Sequence, residues 1–205
     1  MANNGLKLTI LFLFIITYEY CSTHVKLPTF TNTSTRSTYL IKDVFILAGQ
    51  SNMAGRGGVI DKNWDGIIPP EVKPRPGKIL RLGGDLTWEG GGEIRGVLWF
   101  QGERDTLNIS DAELYKERLR KLFIDLRTDL KSPLLPVIQV ALASGEGPYI
   151  ELVRKAQHEI NLPNVVTVDA KGLLLQPDGL HLSTNAQVQV GKMLAHAMLR
   201  SRCYS

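Results

Sequence analysis

The run Leu47-Ala48-Gly49-Gln50-Ser51-Asn52-Met53-Ala54-Gly55 joins an apolar segment, Val44-Phe45-Ile46-Leu47, to a polar turn. The apolar segment is continuously hydrophobic, as strands buried on both faces are. Gly49 allows the chain to turn sharply at its end. Ser51 then stands where ligands bind in open α/β sheets, in the crevice beyond the strand's carboxyl end. A serine so placed is a nucleophile if a histidine reaches it. Taken alone, it is more simply the cap of a following helix.

Downstream, strands alternate with helices. Asp43 to Leu47 reads as the first strand and Ile94 to Phe100 as the second, ending in the polar group Gln101-Gly102-Glu103. Ser110 or Asp111 can cap a helix that carries Leu114, Leu119, Leu122, Phe123, Leu126 and Leu130 at helical spacing, and Pro133 stops it. Leu135 to Leu142 is a third strand, Tyr149 to Leu162 a second helix closed by Pro163, and Val165 to Asp169 a fourth strand. Ser183 caps a last helix reaching about Leu199, with Ala186, Val190, Leu194 and Ala197 on one side. This alternation, with strands apolar throughout, predicts a three-layer α/β/α sandwich around a mainly parallel sheet.

One region breaks the pattern. Met53 to Glu93 holds Pro69, Pro70, Pro74, Pro76 and the run Gly90-Gly91-Gly92, with at most a short strand at Ile79-Leu80-Arg81-Leu82. It contains no amphipathic helix of normal length. Adjacent parallel strands need a crossover, usually helical, and so long a structureless loop is foreign to a compact domain.

Length and composition fit one domain with a tail: 205 residues, 43% hydrophobic, 21% charged and a net charge of +4. Lys and Arg between Lys116 and Lys131 alternate with Glu117, Asp125 and Asp129, the pattern of a solvated, salt-bridged helix. No basic run interleaves with aromatics, which argues against nucleic acid as a partner. Cys21 and Cys203 form neither a metal-ligand spacing nor a redox pair, and one terminal disulfide between them is possible; no metal and no cofactor is expected. Lys7 followed by the apolar run Leu8 to Thr17 has the length of a signal-peptide core and is short for a membrane span. Residues 1–22 are therefore expected to be a cleaved signal peptide, with an uncleaved anchor or a buried strand as alternatives, and secretion to the cell exterior or wall follows. No stable membrane partner is expected beyond such an anchor. Residues 23–42, rich in Thr, Ser and Asn, read as a linker before a domain spanning 43–203.

Asp178-Gly179-Leu180-His181 lies just before the last helix. A carboxylate three residues before a histidine in a tight turn can accept the imidazole Nδ1–H, which leaves Nε2 free as a base toward a serine. The alternative is a surface Asx-turn with an exposed histidine. With Ser51 as nucleophile, the Gln101 amide and the Ser51 backbone N–H would face a developing oxyanion. His158 and His196 stand on helices without evident partners. Trp64 and Trp88 sit in Pro- and Gly-rich segments where a core-edge plug is the simpler reading. Gly55-Arg56-Gly57-Gly58 lacks the Lys-Ser/Thr of a phosphate loop and the dinucleotide spacing.

Gly49-Gln50-Ser51-Asn52-Met53, Trp99-Phe100-Gln101-Gly102-Glu103 and Asp178-Gly179-Leu180-His181-Leu182 together resemble the blocks of the SGNH-hydrolase superfamily, in particular its sialate O-acetylesterase-like branch and the plant carbohydrate esterases. The similarity runs from about Asp43 to Ser201. It implies a flavodoxin-like sandwich and metal-free removal of acetyl groups from acetylated sugars or polysaccharide. It implies Ser51 as nucleophile, His181 as base, Asp178 as its partner and Gln101 as oxyanion donor, with Gln50, Asn52 and Glu103 assigned to the substrate. Members of that branch carry a strand, a helix and an oxyanion-hole glycine between the first strand and the Gln-Gly-Glu strand. Here Trp88-Glu89 runs directly into Gly90-Gly91-Gly92, which implies that one strand-helix unit is missing. Arg104 stands where relatives carry a small residue, and it is expected to pair with Glu103 or crowd the pocket.

Overall fold

The computed structural model describes residues 14–18, 43–54, 56, 58–60, 62–72, 79–81 and 92–202. The strands are β1 (Phe14–Tyr18), β2 (Asp43–Gly49), β3 (Val59–Ile60), β4 (Asn63–Trp64), β5 (Ile79–Arg81), β6 (Glu93–Phe100), β7 (Val137–Ala141) and β8 (Val165–Asp169). The helices are α1 (Ile109–Asp129), α2 (Ile150–His158) and α3 (Thr184–Arg202). The main sheet has the order β5-β1-β2-β6-β7-β8, and β3 pairs with β4 in a small hairpin. The pairs β2–β6, β6–β7 and β7–β8 are parallel.

Both faces of this parallel unit are covered. Every residue of β7 is buried. On one face Trp99 of β6 meets Phe123 of α1 edge-on, ring centroids 6.1 Å apart. On the other, Gly96 lies against Met198 of α3. Two successive right-handed crossovers stepping the same way along the sheet put α1 and α2 on one face. Helix α3 returns across the other, which completes the three layers predicted from the alternation of elements.

Helix α1 starts after Asn108, upstream of the predicted caps, and its buried residues are Ala112, Tyr115, Leu119, Phe123 and Arg127. Four of these recur every fourth position on one stripe. Leu114 and Leu122 lie off it, 45% and 38% exposed, contrary to their predicted burial. Arg127 breaks the picture of a uniformly solvated cationic face. Its guanidinium donates twice to the Leu135 carbonyl, at 3.0 and 2.8 Å, and to Pro163 O at 2.6 Å, which ties the helix end to the approaches of β7 and β8. The third strand and second helix are shorter than predicted, though Ile160 and Leu162 beyond α2 still pack on the core. Ser183 caps α3 as predicted, accepting from the Ala186 N–H at 3.3 Å, and Ala186, Val190, Leu194 and Ala197 are buried.

Two features bear on the irregular region. Strands β2 and β6 are direct parallel neighbours, yet among the described residues between them there is no α-helix, only the β3–β4 hairpin, a 3-10 turn at Pro70–Val72 and β5. The far side of β2 is occupied by β1, which runs antiparallel to it and to β5. Part of the segment expected to act as a leader therefore lies in the sheet. The rest of that segment, the linker, Cys21, Cys203, His24, Gly55, Gly57, Trp88 and Gly90-Gly91 lie outside the described residues.

Candidate active site

Strands β2 and β6 end level with each other, Gly49 opposite Phe100. The backbones approach so closely there that a Cβ on Gly49 would stand 1.9 Å from the Phe100 carbonyl oxygen. Gln50 N–H donates to that carbonyl at 3.1 Å, and the Gln50 carbonyl accepts from Met53 and Ala54 at 2.7 and 2.9 Å. Ser51 is thus held in a tight turn at the sheet's carboxyl edge. The chain goes from this turn into the hairpin rather than a helix, so Ser51 is not a helix cap. Among the described residues nothing accepts from the Ser51 backbone N–H.

The His181 turn comes from the loop after β8. Asp178 makes both interactions that the sequence offered as alternatives. Its Oδ1 accepts from the Leu180 and His181 backbone N–H groups, each at 2.9 Å, which forms the Asx-turn. Its Oδ2 lies 2.6 Å from His181 Nδ1. Gly179 adopts φ +67°, the left-handed conformation that favours glycine. The imidazole is 16% exposed. Burial pushes the Asp178 carboxyl up, but the bonds from the His181 ring and the two backbone N–H groups prevail and hold it below the ordinary aspartate value.

The Ser51 and His181 turns are joined directly. Asn52 Oδ1 accepts from the Leu182 N–H at 2.9 Å and from Gln187 Nε2 at 3.3 Å, while Asn52 Nδ2 donates to Glu103 Oε1 at 2.8 Å. Ser51 and His181 are each one residue away from the Asn52–Leu182 bond. Ser144, in the loop after β7, donates to the Leu180 carbonyl at 2.5 Å and holds the His181 turn from its other side. Neither Ser144 nor Gln187 was singled out from the sequence, where each is an ordinary polar residue.

Gln101 Nε2 donates to Asp105 Oδ2 at 2.7 Å and to Gln50 Oε1 at 3.2 Å. Both amide hydrogens have acceptors within the protein, so an acyl oxygen would compete with Gln50 for one of them. The Tyr115 hydroxyl bonds to the Gln101 carbonyl at 2.8 Å, and Gln157 Nε2 donates to the same oxygen at 3.0 Å. Of the three residues expected to meet substrate, only Gln50 keeps accessible surface. Asn52 and Glu103 are 2% and 1% exposed and engage each other. Burial pushes the Glu103 carboxyl up from its ordinary value, against the pull of the Asn52 bond. Arg104 pairs with Glu146 at 3.4 Å rather than with Glu103, because its side chain points to solvent while Glu103 points inward. His158 has a partner after all: its Nε2 lies 3.3 Å from Asp169 Oδ2, which also bonds Arg154 at 2.9 Å. Trp64 is exposed and does not plug the core edge. Among the described residues no three of His, Cys, Asp and Glu are grouped to hold a metal.

A family model described as a carbohydrate esterase, sialic acid-specific acetylesterase, matches residues 41–93 and 89–200. A probable carbohydrate esterase of Arabidopsis thaliana is 39% identical over 239 residues, 78% of this chain and 91% of that protein. The X-ray structure of the same Arabidopsis protein superposes with a TM-score of 0.52 at 58% identity, over 53% of this chain and 45% of that one. A carbohydrate acetylesterase from Xanthomonas citri has a TM-score of 0.45 at 26% identity, over 51% and 25% of the two chains. The superposed part thus spans less than half the length of the solved Arabidopsis structure, although the sequence alignment runs over most of it. The 239 aligned positions exceed the 205 residues present, so the relative carries residues with no counterpart here. The family match breaks at residues 89–93, which is where the missing strand-helix unit was inferred.

Proposed function

Because the chain belongs to the sialic acid-specific acetylesterase family of carbohydrate esterases, we propose that it removes acetyl groups from acetylated sugars or polysaccharide by a Ser-His-Asp mechanism. The observation that carries the reading is the Asp178–His181 pair at 2.6 Å, on a turn bonded directly to the one that bears Ser51. Ser51 Oγ attacks the acetyl carbonyl and gives its proton to His181 Nε2. Asp178 keeps the other ring nitrogen protonated. The oxyanion is received by the Ser51 backbone N–H and by the Gln101 amide, which exchanges its 3.2 Å bond to Gln50 for the acyl oxygen. His181 then protonates the departing sugar oxygen, and water admitted through the same base releases acetate. The test is hydrolysis of p-nitrophenyl acetate and of an acetylated polysaccharide. Ser51→Ala should abolish both, and equal rates for the two proteins would reject the reading.

The missing unit supports a second reading: a non-catalytic carbohydrate-binding remnant that lacks one oxyanion donor. A fluorophosphonate probe separates the two. Labelling of Ser51 with turnover, however slow, that Ser51→Ala abolishes supports the esterase, whereas sugar binding without labelling supports the remnant.

Secretion through residues 1–22 is likewise proposed, with membrane anchoring as its alternative. Cleavage there removes β1 and leaves the edge of β2 open; retention keeps that edge paired. The intact mass of the extracellular protein tests this, and a chain that still contains Phe14–Tyr18 would overturn it.

A further inference from the structure

Glu103 and Asn52 carry polar groups that the proposed chemistry does not use, and both are enclosed. Burying a carboxyl is costly unless its bonds return something. The Glu103 backbone is locked, its carbonyl accepting from Thr106 Oγ1 at 2.7 Å and from the Glu146 N–H at 3.0 Å. Its Oε1 is thereby held at a fixed point 2.8 Å from Asn52 Nδ2, while Oε2 has no partner among the described residues. With any proton it carries on Oε2, the acid side chain at that point accepts through Oε1, so the Asn52 amide presents its nitrogen there. Its oxygen then faces the opposite way, toward two donors: the Leu182 N–H at 2.9 Å and Gln187 Nε2 at 3.3 Å. The chain of bonds runs from the loop after β6, through the residue next to Ser51, to the peptide next to His181.

We propose that Glu103 and Asn52 are a positioning unit, in which Glu103 sets the orientation of the Asn52 amide and Asn52 fixes the distance between the Ser51 and His181 turns. Neither touches substrate. The unit acts as a strut, and it works through hydrogen-bond polarity rather than through negative charge at His181. Its catalytic consequence rests on the esterase reading above; its structural part does not.

The test uses Asn52→Ala, Glu103→Leu and Glu103→Gln in the full chain. Hydrogen–deuterium exchange reads the strut without reference to activity. The Leu182 amide should lose at least about tenfold in protection in Asn52→Ala and Glu103→Leu, and recover most of it in Glu103→Gln, which still offers an oxygen to Asn52. In ester hydrolysis the first two variants should lower kcat by roughly a hundredfold with KM little changed, as a misplacement of about 1 Å does. Glu103→Gln should recover most of that rate, with the acid limb of its kcat/KM profile where the wild type has it. Unchanged Leu182 protection in Asn52→Ala overturns the proposal. So does a Glu103→Gln variant as impaired as Glu103→Leu, or one whose acid limb moves, since either assigns the role to charge. A wild type that hydrolyses no ester but shows the predicted exchange pattern rejects the esterase reading and keeps the strut.

Discussion

Replacing Asp178 by asparagine separates its two jobs. The new amide keeps one oxygen, which can continue to accept from the Leu180 and His181 N–H groups, now at 2.9 Å each, so the turn survives. The other position becomes an NH2 facing His181 Nδ1, where Oδ2 stood at 2.6 Å. A donor there forces Nδ1 to accept, so the ring proton moves to Nε2. That nitrogen can no longer take the Ser51 proton. In serine hydrolases this tautomer error lowers kcat by about 10⁴, equivalent to about 5.4 kcal/mol of barrier at 1.36 kcal/mol per decade. The Asp178→Ala control loses the same orienting partner and also frees two backbone N–H groups, so it should cost about 1–2 kcal/mol of stability that the asparagine variant does not. The assay is initial-rate hydrolysis of p-nitrophenyl acetate beside thermal unfolding of all three proteins. The Asp178 carboxyl is held below its ordinary value of 3.8, so the hydrogen bonds it accepts contribute fully above that pH and are lost only as pH falls further. Rates at pH 6 to 8 therefore compare proteins with Asp178 ionised in the wild type. An asparagine variant within tenfold of wild type, with its fold intact, would refute the assignment of Asp178 as the partner that orients His181.

Three further changes probe the frame. Gly49→Ala puts a Cβ 1.9 Å from the Phe100 carbonyl oxygen, and backbone there cannot yield without parting β2 from β6; it should cost about 3 kcal/mol or more, read as a lower urea midpoint, and a loss under 1 kcal/mol would contradict the packing. Arg127→Met leaves the Leu135 and Pro163 carbonyls without their donor, and thermal unfolding should show a loss of about 2–3 kcal/mol. The Glu103 carboxyl is raised above its ordinary value of 4.5, so the stability it contributes is complete below that pH and is lost as pH rises through the raised value. The melting temperature of the wild type minus that of Glu103→Gln should accordingly fall between pH 4 and 8, and a flat or rising difference would mean the carboxyl is not desolvated.

The sequence exposed the parallel unit well because its strands are apolar on both faces and its loops hold polar residues at matching ends. Gln50-Ser51 and Gln101 came out as neighbours because Gly49 and Phe100 end their strands side by side. Other features depended on contacts that periodicity does not carry. Leu114 and Leu122 have core-type side chains on the wrong stripe of α1, and Arg127 has a surface-type side chain on the buried one. The family resemblance assigns Glu103 and Asn52 to the substrate, and their place at strand ends, where polar residues usually face the crevice, agrees with it. Their inward turn depends on partners about 50 and 130 residues away in the chain. The antiparallel β1 was weighed only as an alternative, because an apolar run after a lysine is equally a leader and a strand.

The position of the missing unit decides which part of the chemistry it can affect. Ser51, Gln101, Ser144 and the Asp178–His181 turn follow β2, β6, β7 and β8 respectively, and every bond that joins them lies on that side of the sheet. The other side of β2, where a strand reversing the winding would add, holds among the described residues the antiparallel β1 and β5. The network that joins the Ser51 and His181 turns, the proposed nucleophile and base, therefore makes no use of the absent residues. On the esterase reading, with the oxyanion glycine that the resemblance places in that block, their absence removes a single donor, a loss of about 10²–10³ in kcat. Loss of the nucleophile and its base together costs far more, about 10⁶. On the esterase reading this chain should acylate at Ser51 and turn over slowly, and supplying only the missing donor would restore rate without altering how tightly substrate binds.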